Sequence, residues 1–473
     1  MKGLARDTAA SVGRHVATAV VGLVTMPIIA RVLGAQLLGF WSLLGTVAFL
    51  LGLCDLGLNA AVLRTAAGED AAAAKRAARY ARTITLALVL PVAAGCVFWM
   101  LSIADRLPEG ARPSAQIAVF IAVAGGILNA AAQPWRSYAQ GRGHILGLAR
   151  ARTAGSLVQL GVTITGLAMH FGLSAVALGY ATGMILESFL SSRCADDGVN
   201  AGGRASREER AGLRALGRSA LVTNVSVALA LRVDVVILQE VASLETIAAY
   251  SVVSRIVDQG FTLVKQVSAA LIPRLGARSR DAEKALSLGT MLLGALAAAP
   301  LAVVAVAGRP IVVAWAGHSV DQPILTPVAA WLALAALVAA TEEVPASRMS
   351  VAGNPRFVAF AICAGSLVNV LVSIGGAYSI GPTAVAAATL LGNLITALLL
   401  WRETMRSHGW SSRRVGEVLR PPAIAGSVAA LAAFGLSALA LPALVAAALA
   451  ACCGLAASAV AMRAELRGAL AAA

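Results

Sequence analysis

About fourteen long apolar stretches fill this chain, and its positive charge lies almost wholly in alternate gaps between them. The stretches are 16–30, 37–63, 83–104, 117–133, 154–169, 173–190 and 219–238, then 246–273, 286–307, 323–341, 357–379, 382–401, 422–441 and 443–462. A helix rises about 1.5 Å per residue, so roughly 20 apolar residues cross a hydrocarbon core of about 30 Å. Lipid offers no partner to a bare N–H or C=O, so each stretch has to close its own hydrogen bonds as a helix. The expected fold class is an all-α polytopic membrane protein with about 14 transmembrane helices. Composition agrees, at 59% hydrophobic and 13% charged residues, the latter about half the share of a soluble domain.

Basic residues set the expected orientation. One set of alternate gaps, with both termini, holds nearly all of the 38 Lys and Arg residues. The other set holds only Arg31, Arg106, Arg112 and Arg309, while Arg232, Arg255 and Lys265 fall inside stretches. By the positive-inside rule both termini are expected in the cytoplasm, with the chain in a bacterial inner (plasma) membrane. The net charge of +15 then reads as topology and contact with anionic membrane lipids, and no nucleic-acid partner is expected. The first stretch lacks an A-x-A site and runs straight into the second, unlike a cleaved secretory signal. The six cysteines contain no C-x-x-C pair and read as apolar fillers.

The gaps are short except for 191–218, which is polar, Gly-rich and charged and suits a cytoplasmic linker. The expected organisation is an N-terminal six-helix lobe (1–192), a linker (193–218) and a second six-helix lobe (219–403). A basic loop and helices 13 and 14 (404–473) follow, the last pair resembling an appendage against lipid. The two blocks echo each other. RVLGAQLLGFWSL (31–43) aligns with EVASLETIAAYSVV (240–253) at an offset of 209, placing Val32 on Val241, Trp41 on Tyr250 and Ser42 on Ser251. Six spans return each block to the same side, so the halves would be parallel repeats related by an axis along the membrane normal.

MPIIARVLGAQLLGFWSLLGTVAFLLGLCDLGLNAAVLR (26–64) resembles the opening of polysaccharide flippases of the multidrug/oligosaccharidyl-lipid/polysaccharide exporter superfamily. VDVVILQEVASLETIAAYSVVSRIVDQGFTLVKQVSAALIPRLGA (233–277) resembles the start of their second half. Arg31, Leu33, Gly34, Gly39, Asp55, Gly57 and Arg64 carry the first motif; Asp234, Tyr250, Arg255 and Pro273 carry the second. Ala242–Ser243 departs from the Leu-Gly pair usual there, which is expected to loosen that turn. The resemblance implies export of a lipid-linked glycan by alternating access, without an enzymatic step.

A charge at mid-membrane costs roughly 2.5–3.5 kcal/mol on insertion scales and needs a partner or a hydrated cavity. In the eighth stretch Ser251, Arg255, Asp258, Gln259, Thr262, Lys265 and Gln266 fall within roughly 120° of one another. They either line a lumen or, through an Arg255–Asp258 pair, hold helices together. In the first, Arg14 shares a face with Ser11, Thr18 and Thr25, or snorkels to the surface. In the fourth, Asn129, Gln133, Arg136 and Gln140 share a face around Pro134, where a kink is expected; Arg136 too can snorkel. Asp55 and Asn59 lie one turn apart, suiting a proton or Na⁺ site or a plain helix contact. Arg232 and Asp234 read as structural or rim groups, and Glu187, Glu342 and Glu343 as acids near cytoplasmic ends that reach water.

The excess of embedded cations favours an anionic cargo, because guanidinium groups fork onto phosphate oxygens. The leading expectation is a flippase carrying isoprenoid-pyrophosphate-linked oligosaccharide from the cytoplasmic to the outer leaflet. Its expected substrate-binding residues are Arg14, Thr18, Asn129, Gln133, Arg136, Arg255, Lys265 and Gln266, and Asp55 and Asp258 are the expected ion-coupling carboxylates. No cofactor is expected beyond Na⁺ or H⁺ coupling; the expected partners are lipid-linked oligosaccharide, membrane lipids, a polysaccharide polymerase and glycosyltransferases. A drug/cation antiporter would call for an acidic, aromatic cavity, whereas aromatics are 5%. A lipid II flippase and a non-transporting scaffold stay open. There is no G-x-x-x-x-G-K-[ST] motif, and the five histidines show no metal spacing.

Overall fold

Helix is the only regular structure among the described residues of a computed structural model, whose backbone description covers 2–196, 198–199, 203–275, 280–352, 354–439 and 441–463. Side chains are described for the same residues except 2–20, 219–220, 222–223, 226–232, 263, 266, 269–270, 272–274, 280–281 and 352. The order is α1 (Lys2–Gly52), a 3-10 turn (Leu53–Asp55), α2 (Leu58–Ala66), α3 (Ala71–Ala104), α4 (Arg112–Gly141), α5 (Ile145–Ala168), α6 (Leu173–Cys194) and α7 (Arg207–Val241). Then come α8 (Leu244–Leu275), α9 (Arg280–Ala316), α10 (Leu325–Ala352), α11 (Pro355–Ser379), α12 (Pro382–His408), α13 (Ser412–Leu436) and α14 (Ala443–Ala461).

Each apolar stretch coincides with helix over most of its length. Ten runs among the described residues are long and apolar enough to cross a membrane. Val21–Asp55 is one of them, where two stretches were expected, and α5, α7 and α8 fall outside the ten. For α5 and α8 the reason is chemical: α5 carries Arg152 and Gln159, and α8 carries Arg255, Asp258 and Lys265, whereas much of α7 lies outside the residues whose side chains are described.

Two turns at matching positions of the repeat are built differently. Within α1 the helix breaks at Gly34, whose φ of 78° and ψ of 176° suit a residue without a Cβ. Its counterpart, Ser243, instead separates α7 from α8 and caps the latter, its Oγ accepting from the Thr246 N–H at 3.3 Å. The missing glycine is thus replaced by a cap.

Residues 1–228 and 229–473 form two compact units. In the first, α6 packs on α4 and α5, and α4 on α2 and α3. In the second the pattern recurs: α12 packs on α10 and α11, and α10 on α8 and α9. Glycines explain the closest pair in each. A methyl at Gly155 of α5 would stand 2.7 Å from the Gly183 carbonyl oxygen of α6, and one at Gly183 would stand 2.7 Å from the Gly155 oxygen. Gly365 of α11 and Gly392 of α12 repeat this reciprocal contact at 2.5 and 2.7 Å. Gly166 against Ala175 and Gly376 against Ala384 match in the same way, each at 2.7 Å. Small residues let helices approach where lipid supplies no hydrophobic drive between them.

The charged stretch after α6 is partly ordered onto unit 1, and α7 begins within it at Arg207. Ser206 and Glu209 form a capping box: the Glu209 N–H donates to Ser206 Oγ at 3.0 Å, and the Ser206 N–H to Glu209 Oε2 at 2.7 Å. Arg76 of α3 reaches Glu209 Oε1 at 2.6 Å, and this hydrogen bond holds the Glu209 carboxyl below the usual range. Helices α13 and α14 pack on α9, with a methyl at Gly294 excluded by the Pro422 ring at 2.6 Å. All six cysteines are unpaired.

Replacing Gly183 by Ala should destabilise unit 1 by about 1–3 kcal/mol through overpacking. Gly161→Ala, on the open side of the same helix pair, should be neutral or slightly stabilising. Thermal unfolding of the two variants in detergent checks this; equal melting temperatures would remove the glycine contact as a determinant.

Candidate functional site

The crossing of α5 and α6 places charge inside unit 1. A methyl at Gly155 would also touch Glu187 Cβ, at 3.0 Å, so the close approach seats Glu187 against α5. Glu187 is 4% exposed and bridges two arginines. Its Oε1 lies 3.3 Å from Arg136 Nη1 of α4, and its Oε2 accepts from Arg152 Nη1 of α5 at 2.7 Å. Arg136 also donates to Asn129 Oδ1 at 2.7 Å and to Ser188 Oγ at 3.1 Å. Its Nε is buried with no hydrogen-bond partner among the described residues. Tyr180 of α6 lies beside the arginines, in a space left by Gly125, and its ring meets Trp41 edge-on at 6.4 Å. Two guanidinium groups share one carboxylate, so the cluster keeps one positive charge.

These contacts leave one of the two readings of Arg136 and correct the expectation for Glu187. Arg136 is 9% exposed, so it does not snorkel; burial against an acid holds it inward. Glu187 does not reach water, for the same reason. Pro134 is buried, and α4 continues through it as one helix. Gln133 is half-buried. Arg152, placed by sequence in a basic gap, lies seven residues inside α5 and belongs to the cluster.

A second polar cluster lies in unit 2. Asp234 of α7 is 6% exposed, so it is an interior group and not a rim group. Its Oδ2 accepts from the Tyr250 hydroxyl at 2.7 Å and from Thr389 Oγ1 at 2.9 Å. Thr389 Oγ1 stands 3.5 Å from Asn369 Oδ1, which accepts from Ser373 Oγ at 3.1 Å. Asp234 Oδ1 is buried with no hydrogen-bond partner among the described residues. The α11–α12 crossing seats Asn369 much as its counterpart seats Glu187: a methyl at Gly392 would stand 3.0 Å from Asn369 Cβ. Asp258 lies within electrostatic reach of Asp234 and Tyr250.

Along α8, Arg255, Asp258 and Lys265 are half-buried, and Arg255 and Asp258 are both engaged by other groups. The Lys265 ammonium stands 4.6 Å over the Phe261 ring and within electrostatic reach of Glu342 and Glu343 of α10. Those glutamates are half-buried, and Glu342 Oε2 is buried with no hydrogen-bond partner among the described residues. The acids are therefore less open to water than their sequence positions suggested, with a lysine of the neighbouring helix α8 in electrostatic reach. Asp55 is 4% exposed, and its two oxygens accept the Gly57 and Asn59 N–H groups at 3.0 and 3.2 Å, capping α2. The side chains of Arg14, Thr18 and Gln266 lie outside the described residues.

Tyr250→Phe leaves the buried Asp234 carboxylate short of a donor. It should lower the stability of unit 2 by about 1.5–3 kcal/mol, read as a fall in melting temperature; an unchanged value would mean that the hydroxyl is not needed there.

The structure superposes on a lipid II flippase, MurJ, in an inward closed conformation, with a TM-score of 0.75, 14% identity and coverage of 97% of this chain and 99% of that one. An inward-facing multidrug resistance MATE family transporter of the MOP superfamily gives 0.63 at 17% identity, covering 84% and 96%. A MOP superfamily transporter from Pyrococcus furiosus, described as having a binding pocket of reverse polarity, gives 0.60 at 16%, covering 87% and 97%. These likenesses show a shared fold. No curated protein matches the sequence. Residues 4–277 match the family described as polysaccharide biosynthesis protein, and since that is more than half of its length, the chain belongs to this family.

Proposed function

We propose that the protein flips an isoprenoid-pyrophosphate-linked oligosaccharide from the cytoplasmic to the outer leaflet of a bacterial inner membrane. In this reading the chain crosses the bilayer fourteen times with both termini in the cytoplasm. Two six-helix lobes, 1–192 and 219–403, alternate the head-group site between the two leaflets. The carrying observation is the layer formed by Arg136, Arg152 and Glu187, a buried cluster with net positive charge in a chain of this family. Forked guanidinium donors suit phosphate oxygens, and Asn129 and Gln133 beside them on α4 offer hydrogen bonds to sugar hydroxyls. Arg14, Thr18, Arg255, Lys265 and Gln266 extend the proposed substrate-binding set.

Coupling to a Na⁺ or H⁺ gradient is assigned to Asp234, with Asp258 nearby, ahead of Asp55. Support comes from the unpartnered Asp234 oxygen among the neutral oxygens of Tyr250, Thr389, Asn369 and Ser373. Hard monovalent cations favour such oxygen donors, and the lone carboxylate supplies the charge. The Asp55 oxygens are already committed to backbone amides. A polysaccharide polymerase and glycosyltransferases are the proposed partners before and after the flip.

Deleting the gene should leave lipid-linked oligosaccharide on the cytoplasmic leaflet and remove surface glycan. Normal surface glycan would refute the flippase reading, and accumulation of lipid II in its place would transfer the reading to a peptidoglycan precursor. Drug sensitivity with intact glycan would favour the antiporter alternative. In vesicles, Asp234→Asn should abolish the acceleration of flipping by an imposed Na⁺ or proton gradient; retained acceleration would place coupling elsewhere.

A further inference from the structure

Glu187 and Arg152 together do something that a plain substrate-binding pair would not. Arg136 lies five residues before the end of α4, Arg152 seven residues after the start of α5, and Glu187 seven residues before the end of α6. At about 1.5 Å per residue, all three stand roughly 10 Å in from one end of unit 1, the end where Arg142, Arg150 and Arg193 cluster. The two arginines differ in how they are held. The Arg136 side chain is 11% exposed and fixed by Asn129, Ser188 and Glu187. That of Arg152 is 39% exposed, and its hydrogen bond among the described residues goes to Glu187. An exposed guanidinium on a flexible stem, tied by a single contact, can turn toward a new anion without unpacking the helices. Glu187, at 6% side-chain exposure, is held inside the α5–α6 crossing, which is so close there that a methyl at Gly155 would stand 3.0 Å from its Cβ.

We infer that Glu187 is a built-in stand-in for the substrate's anion: a fixed internal carboxylate that occupies Arg152 and Arg136 when no substrate is bound and competes with an incoming oxyanion. The inference deepens the flippase reading and rests on it for the identity of the cargo. The shared ligand chemistry is an oxyanion, from either the lipid pyrophosphate or a carboxylate of an acidic sugar. Arriving at the basic end, it takes over the free N–H groups of Arg152. The Arg136 Nε, buried without a partner, is a second donor awaiting an acceptor in the same layer. When the oxyanion leaves, Glu187 recovers both arginines, so the empty site never holds two unneutralised guanidinium groups in a low-dielectric interior. Release is thereby assisted: the competitor is already at hand, and the cargo is bound weakly enough to depart.

Glu187→Gln keeps the shape and removes the competing charge. In full-length protein reconstituted in nanodiscs of zwitterionic lipid, calorimetric titration with inorganic pyrophosphate, and separately with glucuronate, should show tightening by about tenfold or more for one probe. The probe that gains identifies phosphate or sugar carboxylate as the source. Arg152→Gln should weaken binding of that probe, and the double variant should bind no more tightly than Arg152→Gln alone. Surface glycan should form more slowly in cells carrying Glu187→Gln, because the cargo is retained. Should Glu187→Gln fail to fold, Glu187→Asp, which keeps the charge but draws it back from Arg152, should give an intermediate tightening. Unchanged or weaker binding of both probes by a folded variant overturns the inference. If the tightening is seen while the deletion strain keeps normal surface glycan, the oxyanion site stands and the flippase reading falls; the reverse pattern separates them the other way.

Discussion

Two glycines facing each other across a helix crossing set the internal geometry of each unit. Gly155 with Gly183, and Gly365 with Gly392, bring backbones so close that a single methyl would collide with a carbonyl oxygen. One polar group of each cluster sits one turn away along those same helices. Glu187 follows Gly183 by four residues, and Asn369 follows Gly365 by four, so each stands on its helix's contact face. In lipid, where apolar surfaces gain nothing by touching each other, such close approach is what lets polar groups on adjacent helices meet. The charged chemistry of this protein is therefore a product of its smallest residues.

The repeat carries the same scaffold with different cargo. In unit 1 the crossing holds an acid between two arginines; in unit 2 it holds a neutral amide beside Asp234 and Thr389. One cluster carries net positive charge and the other gathers oxygen atoms around a carboxylate. A duplicated helix framework with diverged polar residues gives one chain two kinds of polar cluster without two kinds of fold.

Much of the fold was legible, and the reason is local. Apolar runs long enough to span a bilayer have to be helices in lipid, and each fell on one. The family motifs were legible too, since they lie around turns with strict backbone demands such as Gly34 and Asp55. The sites were read only in part. Periodicity said that Asn129 and Arg136 share a face, and they do meet at 2.7 Å. It could not say that Glu187 and Arg152 complete that layer, because pairing between helices is not written in the spacing along one. Asp234 was legible only as a structural or rim group for the same reason: Tyr250 and Thr389, which hold it, lie on other helices. One pattern could have found the missing residues. Gly179, Gly183 and Glu187 recur every four residues, as do Gly365, Asn369 and Ser373, and a polar residue extending a glycine stripe belongs in a helix contact.

The polarity of α5 bears on how the chain is made. The deeper of its two arginines, Arg152, leaves the ribosome before Glu187, which lies 35 residues later. Until α6 emerges, the helix carries an uncompensated charge and partitions poorly into hydrocarbon. Insertion of α5 must then wait for its successor, the two entering as a hairpin already zipped at the glycines. Biogenesis and transport would thus lean on the same ion pair, first closed to admit the helix and afterwards opened to admit the cargo.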